Sequence, residues 1–253
     1  MSTRRAALIT GAANGIGAAV VARLAAAGHD LALFDCDAAR LESVAGRARE
    51  MMAGRVHTYP VDVRESGPVT EAVAAAHEAL GRLEILVNAV GGSTPQRPVE
   101  EISEEEWDAV LTLNLRGLFL CTRAVVPHMK AQRYGRIVNV SSVAGRTRSL
   151  FGGAHYTASK AGVIGFSRQC AAELAPFGVT VNVVAPGVTL SERVAARWEA
   201  KPAAERAFIE SLIPAGRVAA CDEPAAAIAF LCSEDASYIS GTVVDVNGGL
   251  YIG

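Results

Sequence analysis

Ala6-Ala-Leu-Ile-Thr10-Gly11-Ala-Ala-Asn14-Gly15-Ile16-Gly17 is the stretch on which the reading of this chain turns. Its first five residues carry no polar alternation and read as a strand covered on both faces, while Gly15–Ala27 reads as a helix. The turn between them is built from Gly11, Asn14, Gly15, Ile16 and Gly17. Glycines at such a place permit tight or left-handed backbone and let a diphosphate approach the main chain with no Cβ in the way. The helix that follows offers unpaired N–H groups and the positive end of its dipole. A glycine-rich string alone is a weak signal, and the spacing here departs from G-x-G-x-x-G. The strand–turn–helix context supplies the missing specificity.

Outward from this turn, short apolar runs alternate with longer helical patterns. Strands are expected at Ala6–Thr10, Asp30–Phe34, Val56–Val61, Ile85–Asn88, Arg136–Ser141, Thr180–Val184 and Val243–Val246. Helices are expected at Gly15–Ala27, Ala38–Met52, Gly67–Leu80, Ser103–Gln132 and His155–Phe177. Repeated strand–helix alternation implies right-handed crossovers and a parallel sheet of about seven strands, with helices on both faces. The fold class is therefore α/β, a single doubly wound domain spanning 1–253, with a polar helical segment at Thr189–Pro214 as a candidate lid. Ser103, three residues before Glu106, opens its helix with a capping box, and the acids Glu104–Glu106 are read as cap and solvated face.

Composition removes several function classes. Of 253 residues, 51% are hydrophobic and 20% charged, and the formal charge is -2, which supplies no basic field for a nucleic acid. No uninterrupted apolar run reaches transmembrane length, so no membrane role is expected. The basic start at Arg4-Arg5 resembles a secretory signal, but glycines 11, 15 and 17 interrupt it, and a cytoplasmic location is expected. Five scattered cysteines form no C-x-x-C pair, so neither disulfides nor a metal site are expected.

Asp35 follows the second strand, roughly 20 residues beyond the glycine turn, where a carboxylate accepts hydrogen bonds from ribose hydroxyls and repels a 2′-phosphate. No basic residue stands beside it, and Asn14 precedes Gly15, so NAD is preferred over NADP. The alternative is that Asp35 caps the next helix, with Asp37 competing for either role. Further on, Tyr156 and Lys160 lie four apart at the start of a long helix and share one face. An isolated tyrosine ionises near pH 10, and a neighbouring ammonium favours the phenolate, which fits Tyr156 to exchange a proton during hydride transfer. Ser142, at a strand end, can hold the substrate oxygen.

Taken together, Thr10–Gly17, Asp62-Val63, Asn88–Gly91, Asn114, Ser142, Tyr156 with Lys160, Pro186-Gly187 and Asn247–Gly249 resemble the short-chain dehydrogenase/reductase family over nearly the whole chain. That resemblance implies a Rossmann-type fold and a Ser142–Tyr156–Lys160 centre completed by Asn114, which helps a water continue the proton relay. It further implies that Asp62 and Val63 contact adenine, that Asn88 lies along the adenosine side, and that Val188 and Thr189 meet the carboxamide. Homotetramers paired through the long helices are implied as well. Three departures stand out: Asn88-Ala-Val-Gly91 lacks a second asparagine, Ser142 and Tyr156 are one residue further apart than the family pattern, and Ser191 replaces a threonine.

The substrate pocket is expected to be lined by 91–99, 144–155 and the candidate lid. Arg146 and Arg148 either pair with an anionic substrate group or are solvated surface charges, the second being favoured. Trp198, Phe208 and Ile209 are candidates for closing the lid, and His155 for the pocket wall. The function expected is NAD(H)-linked interconversion of a secondary alcohol and a ketone. Its alternatives are a reductase of 3-oxoacyl thioesters or related ketones, and a silent nucleotide-sensing module. The presence of Tyr156, Lys160, Ser142 and Asn114 together weighs against the last of these.

Overall fold

A computed structural model describes residues 4–51 and 54–253. In chain order the elements are β1 (Ala6–Thr10), α1 (Gly15–Ala26), β2 (Asp30–Asp35), α2 (Ala38–Met51), β3 (Val56–Pro60), α3 (Ser66–Leu80), β4 (Ile85–Asn88), α4 (Glu104–Leu111) and α5 (Gly117–Gln132). They continue with β5 (Gly135–Val140), α6 (Ala154–Leu174), β6 (Val179–Pro186), β7 (Thr189–Leu190), α7 (Glu192–Glu199), α8 (Ala203–Ser211), β8 (Ala219–Ala220), α9 (Asp222–Leu231) and β9 (Val243–Val246). All seven expected strands are present and form one parallel sheet in the order β3-β2-β1-β4-β5-β6-β9. The expected end of the second helix, Met52, lies outside the described residues.

Strand alternation sorts the core into two halves. Ala7, Ile9, Leu31, Leu33, Ile85 and Val87 face one side, where they pack with Val20 and Leu24 of α1, Leu41 of α2 and Ile228 of α9. Ala6, Leu8, Ala32, Phe34 and Leu86 face the other, against Val73 of α3, Leu120, Val125 and Met129 of α5, and Leu174 of α6. The central strands β1, β2 and β4 are therefore apolar on both faces, which accounts for their unalternating runs, whereas the edge strands β3 and β9 are only partly buried. Chain order reverses between β1 and β4, and this reversal opens a crevice at the carboxyl ends of the strands.

The long helix expected from Ser103 to Gln132 is present but interrupted. Between α4 and α5, Thr112–Arg116 forms a π-helical turn. Asn114 lies in it with its side-chain amide donating to Val110 O at 2.9 Å and Gly92 O at 2.8 Å, so a side chain has inserted into the helical ladder. Glu104–Gln132 is long and apolar enough by composition to cross a bilayer, although Arg116 and Arg123 interrupt its apolar run. Within the fold it is a core helix, with 44% of its most apolar window buried. Ser103 caps α4 as expected, its hydroxyl accepting from Glu106 N at 3.2 Å.

An ion cluster built on one buried carboxylate and two half-exposed arginines anchors the amino end of β2. Asp30 is 2% exposed and pairs with Arg4 and with Arg55, whose main-chain N–H donates to it at 2.7 Å. Burial alone would raise the pKa of this carboxyl, but the hydrogen bonds from Arg4 and Arg55 outweigh it and hold the value at about 2. A depressed carboxylate stabilises the fold above its unfolded pKa of about 3.9 and loses that contribution as pH falls through the folded value. Asp30→Asn is therefore expected to cost about 2 kcal/mol near neutral pH. In urea melts, its gap from wild type is expected to close progressively between about pH 4 and about pH 2.

Candidate active site

The glycine turn forms one end of the crevice. Gly11 and Gly15 take left-handed backbone with φ of 68° and 57°, which L side chains rarely adopt. Gly17 answers a different constraint: a Cβ there would lie 2.0 Å from the Gly11 carbonyl oxygen, so α1 can cross the turn only with hydrogen at this position. Gly11, Asn14, Gly15 and Ile16 line the crevice, whereas Gly17 packs behind it. Asn14 stands at the N-cap of α1 without a side-chain capping bond, and its Oδ1 is buried without a partner among the described residues.

The two acids after β2 divide the alternatives between them. Asp37 caps α2, accepting from Arg40 N at 3.0 Å. Asp35 accepts from Ala13 N at 3.1 Å and from Asp37 N at 3.0 Å, and its carboxylate lines the crevice. Arg40, which the sequence reading passed over, lines the same end, held by Asp37 at 3.5 Å and Glu192 at 3.8 Å. Its position three residues after a capping aspartate was the available signal. Asp62 and Val63 also line this end, and the Arg64 guanidinium holds the Asp62 carboxyl below the ordinary carboxylate range. Open glycine backbone, an unpartnered amide oxygen and a carboxylate at the strand end fit a dinucleotide in a crevice of about 1300 Å³.

Asn88 is placed differently from its expected adenosine contact. It is 3% exposed, and its amide donates to Asn139 Oδ1 at 2.9 Å and Thr122 Oγ1 at 3.2 Å, tying the sheet to α5. The crevice is lined instead by Ala89, Val90 and Gly91, with Ala89 N bonded to Thr10 Oγ1 at 3.2 Å. Both of these bonds are made by the Nδ2 group and point into the core, while Oδ1 is buried without a partner among the described residues.

At the opposite end, Ser142, Tyr156 and Lys160 line one wall. Lys160 Nζ donates to Val140 O at 3.0 Å and lies 5.9 Å from the centre of the Tyr156 ring. Ser141 Oγ donates to Lys160 O at 2.8 Å, fastening α6 to the end of β5. Ser142 Oγ accepts from Ala144 N at 3.1 Å and opens the loop that leads to α6. A Cβ at Gly91 would lie 2.9 Å from Lys160 Nζ and 3.1 Å from Asn114 Oδ1, so glycine is what lets both side chains approach this strand end. Asn114 itself is buried behind the crevice, its amide clamping both the N–H and the carbonyl of Gly92. Val188 and Thr189 line the crevice beyond the Pro186-Gly187 turn, and Ser191 caps α7, accepting from Val194 N at 3.3 Å.

Two expectations around the substrate end are corrected, and one alternative is narrowed. Neither Arg146 nor Arg148 lines the wall: Arg148 is exposed, as the favoured reading has it, while Arg146 pairs with Asp245 at 3.1 Å and stacks over Tyr251. His155 is no pocket-wall residue: it is fully buried, with Nε2 at 2.8 Å from Thr94 Oγ1. Glu106 is not a solvated cap residue, since its carboxylate turns inward to His155 at 3.5 Å and Arg97 at 3.3 Å. Bonding from the Thr94 hydroxyl, with Arg97 beside it, holds that carboxyl below its ordinary range. Trp198, Phe208 and Ile209 do line the crevice from α7 and α8, joined by Arg197 and Lys201, which the sequence reading did not single out.

A family model described as enoyl-(acyl carrier protein) reductase matches residues 11–251. The 3-oxoacyl-[acyl-carrier-protein] reductase of Thermotoga maritima is 40% identical over 97% of each chain. The chain belongs to the short-chain dehydrogenase/reductase family. Another relative within it, the 2-dehydro-3-deoxy-L-rhamnonate dehydrogenase (NAD(+)) of Sphingomonas sp., is 36% identical over 97% of this chain and 94% of that protein. The crystal structure of levodione reductase superposes with a TM-score of 0.92 at 34% identity, covering 98% of both chains. This short-chain dehydrogenase/reductase is accordingly an oxidoreductase that works with a nicotinamide cofactor.

The crossing of α1 beneath the turn gives a direct test of the site's architecture. Gly17→Ala is expected to lower the melting temperature sharply and to abolish binding of the nicotinamide cofactor. Gly46→Ala, in the open middle of α2, is expected to stabilise the fold by roughly 1 kcal/mol. Thermal melts of both variants, with titration of NADH and NADPH, provide the comparison.

Proposed function

We propose that this enzyme interconverts a ketone and a secondary alcohol with NAD(H) in preference to NADP(H), a 3-oxoacyl thioester or related ketone being the favoured substrate. The convergence of Ser142, Tyr156 and Lys160 on one wall of the crevice that holds Asp35 at its other end carries the reading. In reduction, the Tyr156 hydroxyl gives its proton to the carbonyl oxygen, and in oxidation the phenolate takes it back. Lys160 stabilises that phenolate and holds ribose hydroxyls, while Ser142 hydrogen-bonds the substrate oxygen. Asn114 contributes by fixing Gly92 and, through it, the strand end beside Lys160. The nicotinamide, when bound, supplies or accepts the hydride.

The thioester preference is supported by relatives named for that chemistry. They include the Thermotoga reductase and the acetoacetyl-CoA reductase of Acinetobacter sp., 37% identical over the full length of both chains. The oxidative direction draws support from the Sphingomonas dehydrogenase, whose name specifies NAD(+). Preference for NAD rests on charge. Asp35 and Asp37 both face the adenosine end, and the one neighbouring cation in α2, Arg40, already has carboxylate partners in Asp37 and Glu192. A 2′-phosphate would meet the acids first. A cytoplasmic homotetramer completes the proposal. Its pairing surface would be the apolar depression of about 430 Å³ lined by Leu111, Leu115, Phe119 and Phe166, and light scattering measures the assembly.

Oxidation of NADH and NADPH with acetoacetyl-CoA, alongside NAD reduction with a panel of secondary alcohols, tests the assignment. Tyr156→Phe is expected to lose at least about a hundredfold in kcat while binding NADH normally. Asp35→Ala is expected to weaken NADH and narrow its advantage over NADPH. Equal dissociation constants for both cofactors before and after that change would remove Asp35 from the ribose role. Binding of NADH with no turnover of any substrate would favour a nucleotide-sensing protein.

A further inference from the structure

Residues 89–98 run from the end of β4 along the substrate side of the crevice without regular secondary structure. Such a segment has no ladder of its own, so its position depends on anchors elsewhere. One anchor is Asn114, which clamps Gly92. A second is a side-chain cluster behind the crevice wall. Ser93, Pro95 and Gln96 line the crevice, but Thr94 turns the other way and places its hydroxyl 2.8 Å from His155 Nε2. Glu106 of α4 completes the cluster, with Oε1 3.5 Å from His155 Nε2 and Oε2 3.3 Å from Arg97 Nε.

The donors and acceptors can be placed in one chain. With its proton on Nε2, the imidazole donates to Thr94 Oγ1, and the Thr94 hydroxyl proton is then free for the Glu106 carboxylate, which Arg97 also faces. His155 Nδ1 and Glu106 Oε1 have no hydrogen-bond partner among the described residues. Three elements are joined in this way: the loop after β4, the start of α4 and the first turn of α6. His155 is 0% exposed and immediately precedes Tyr156, so the loop is tied to the backbone that carries the tyrosine. A Cβ at Gly153 would lie 2.7 Å from His155 Nδ1, which leaves the ring little freedom to turn.

We infer that Thr94, Glu106 and His155 are positioning residues that fix the substrate-side loop 92–97 relative to Tyr156 and so set where the substrate carbonyl sits. The inference rests on the ketone-reductase reading proposed above. None of the three lines the crevice, so each acts through the loop rather than on substrate. Displacements of about 1 Å at a reacting centre are enough to cost on the order of a hundredfold in rate.

Three variants test this: Thr94→Val, which keeps shape and removes the hydroxyl; His155→Leu; and His155→Gln, whose amide reaches the same place as Nε2. Acetoacetyl-CoA is the probe substrate with NADH, and hydrogen exchange of residues 92–97 is followed in the NADH-bound protein. Thr94→Val and His155→Leu are expected to raise KM for acetoacetyl-CoA by about tenfold or more and to speed exchange in 92–97. The NADH dissociation constant is expected to stay unchanged in both, and His155→Gln to behave nearly as wild type. Unchanged KM and exchange in Thr94→Val would overturn the inference, as would equal damage from Gln and Leu at position 155. If wild type does not turn over acetoacetyl-CoA, the function proposal loses its favoured substrate, and the exchange measurement alone decides the role of the cluster.

Discussion

The approach of two backbone segments at the glycine turn is the constraint on which the rest of the site depends. Helix α1 passes so close beneath the turn that only hydrogen fits at Gly17, against the carbonyl of Gly11. That closeness aims the first turn of α1 into the crevice where the strand order reverses. It also brings Ala13 N within 3.1 Å of the Asp35 carboxylate, so the end of β2 is fixed by the same turn that would receive phosphate. A larger residue at Gly17 would therefore disturb the helix, the turn and the acid together.

At the other end, the chemistry depends on α6 being pinned to β5. The Ser141 hydroxyl binds the Lys160 carbonyl and the Lys160 ammonium binds the Val140 carbonyl, so consecutive strand-end residues hold both the backbone and the side chain of one lysine. Tyr156, one turn earlier on the same face, takes its place from that attachment. The charge distribution follows a similar division. Carboxylates gather at the adenosine end beside cations that are already paired. At the substrate end the crevice is lined by Arg197 of α7 and by Lys201 of the link between α7 and α8, itself paired with Glu205.

Much of this was legible in the sequence because it depends on local pattern. All seven sheet strands were expected, most of them from unalternating apolar runs that the central strands owe to being covered on both faces. The glycine turn, Asp35 and the Tyr156–Lys160 spacing are likewise local, and the structure gathers all of them around one crevice. Two-residue pairs such as β7 with β8 are too short to carry a period, and α9 went unread. Its alanine-rich run with Pro224 near the start offers neither clear apolar periodicity nor an oxygen cap. Glu106 looked like a cap residue because its spacing from Ser103 is local information. Its true partners, Thr94 and His155, arrive from distant parts of the chain and cannot be read from spacing.

The misplacement of Asn88 has a more general origin. At a strand end, successive side chains point to opposite faces, so two adjacent residues that both look functional divide into one that holds the core and one that meets the crevice. Thr10 turns inward to bond Ala89 N while Gly11 lines the crevice. Asn88 turns inward to Asn139 while Ala89 lines the crevice. In each of these two pairs the polar residue donates or accepts a bond inside the fold, and the small residue leaves open backbone facing the crevice. Ser142 departs from this pattern. It lies beyond β5, where strand alternation has ended, and its hydroxyl caps a short turn while still facing the crevice. Asp35, the final residue of β2, also faces the crevice, because its carboxylate is held by the N–H groups of Ala13 and Asp37 at the crevice mouth and not by a partner in the core.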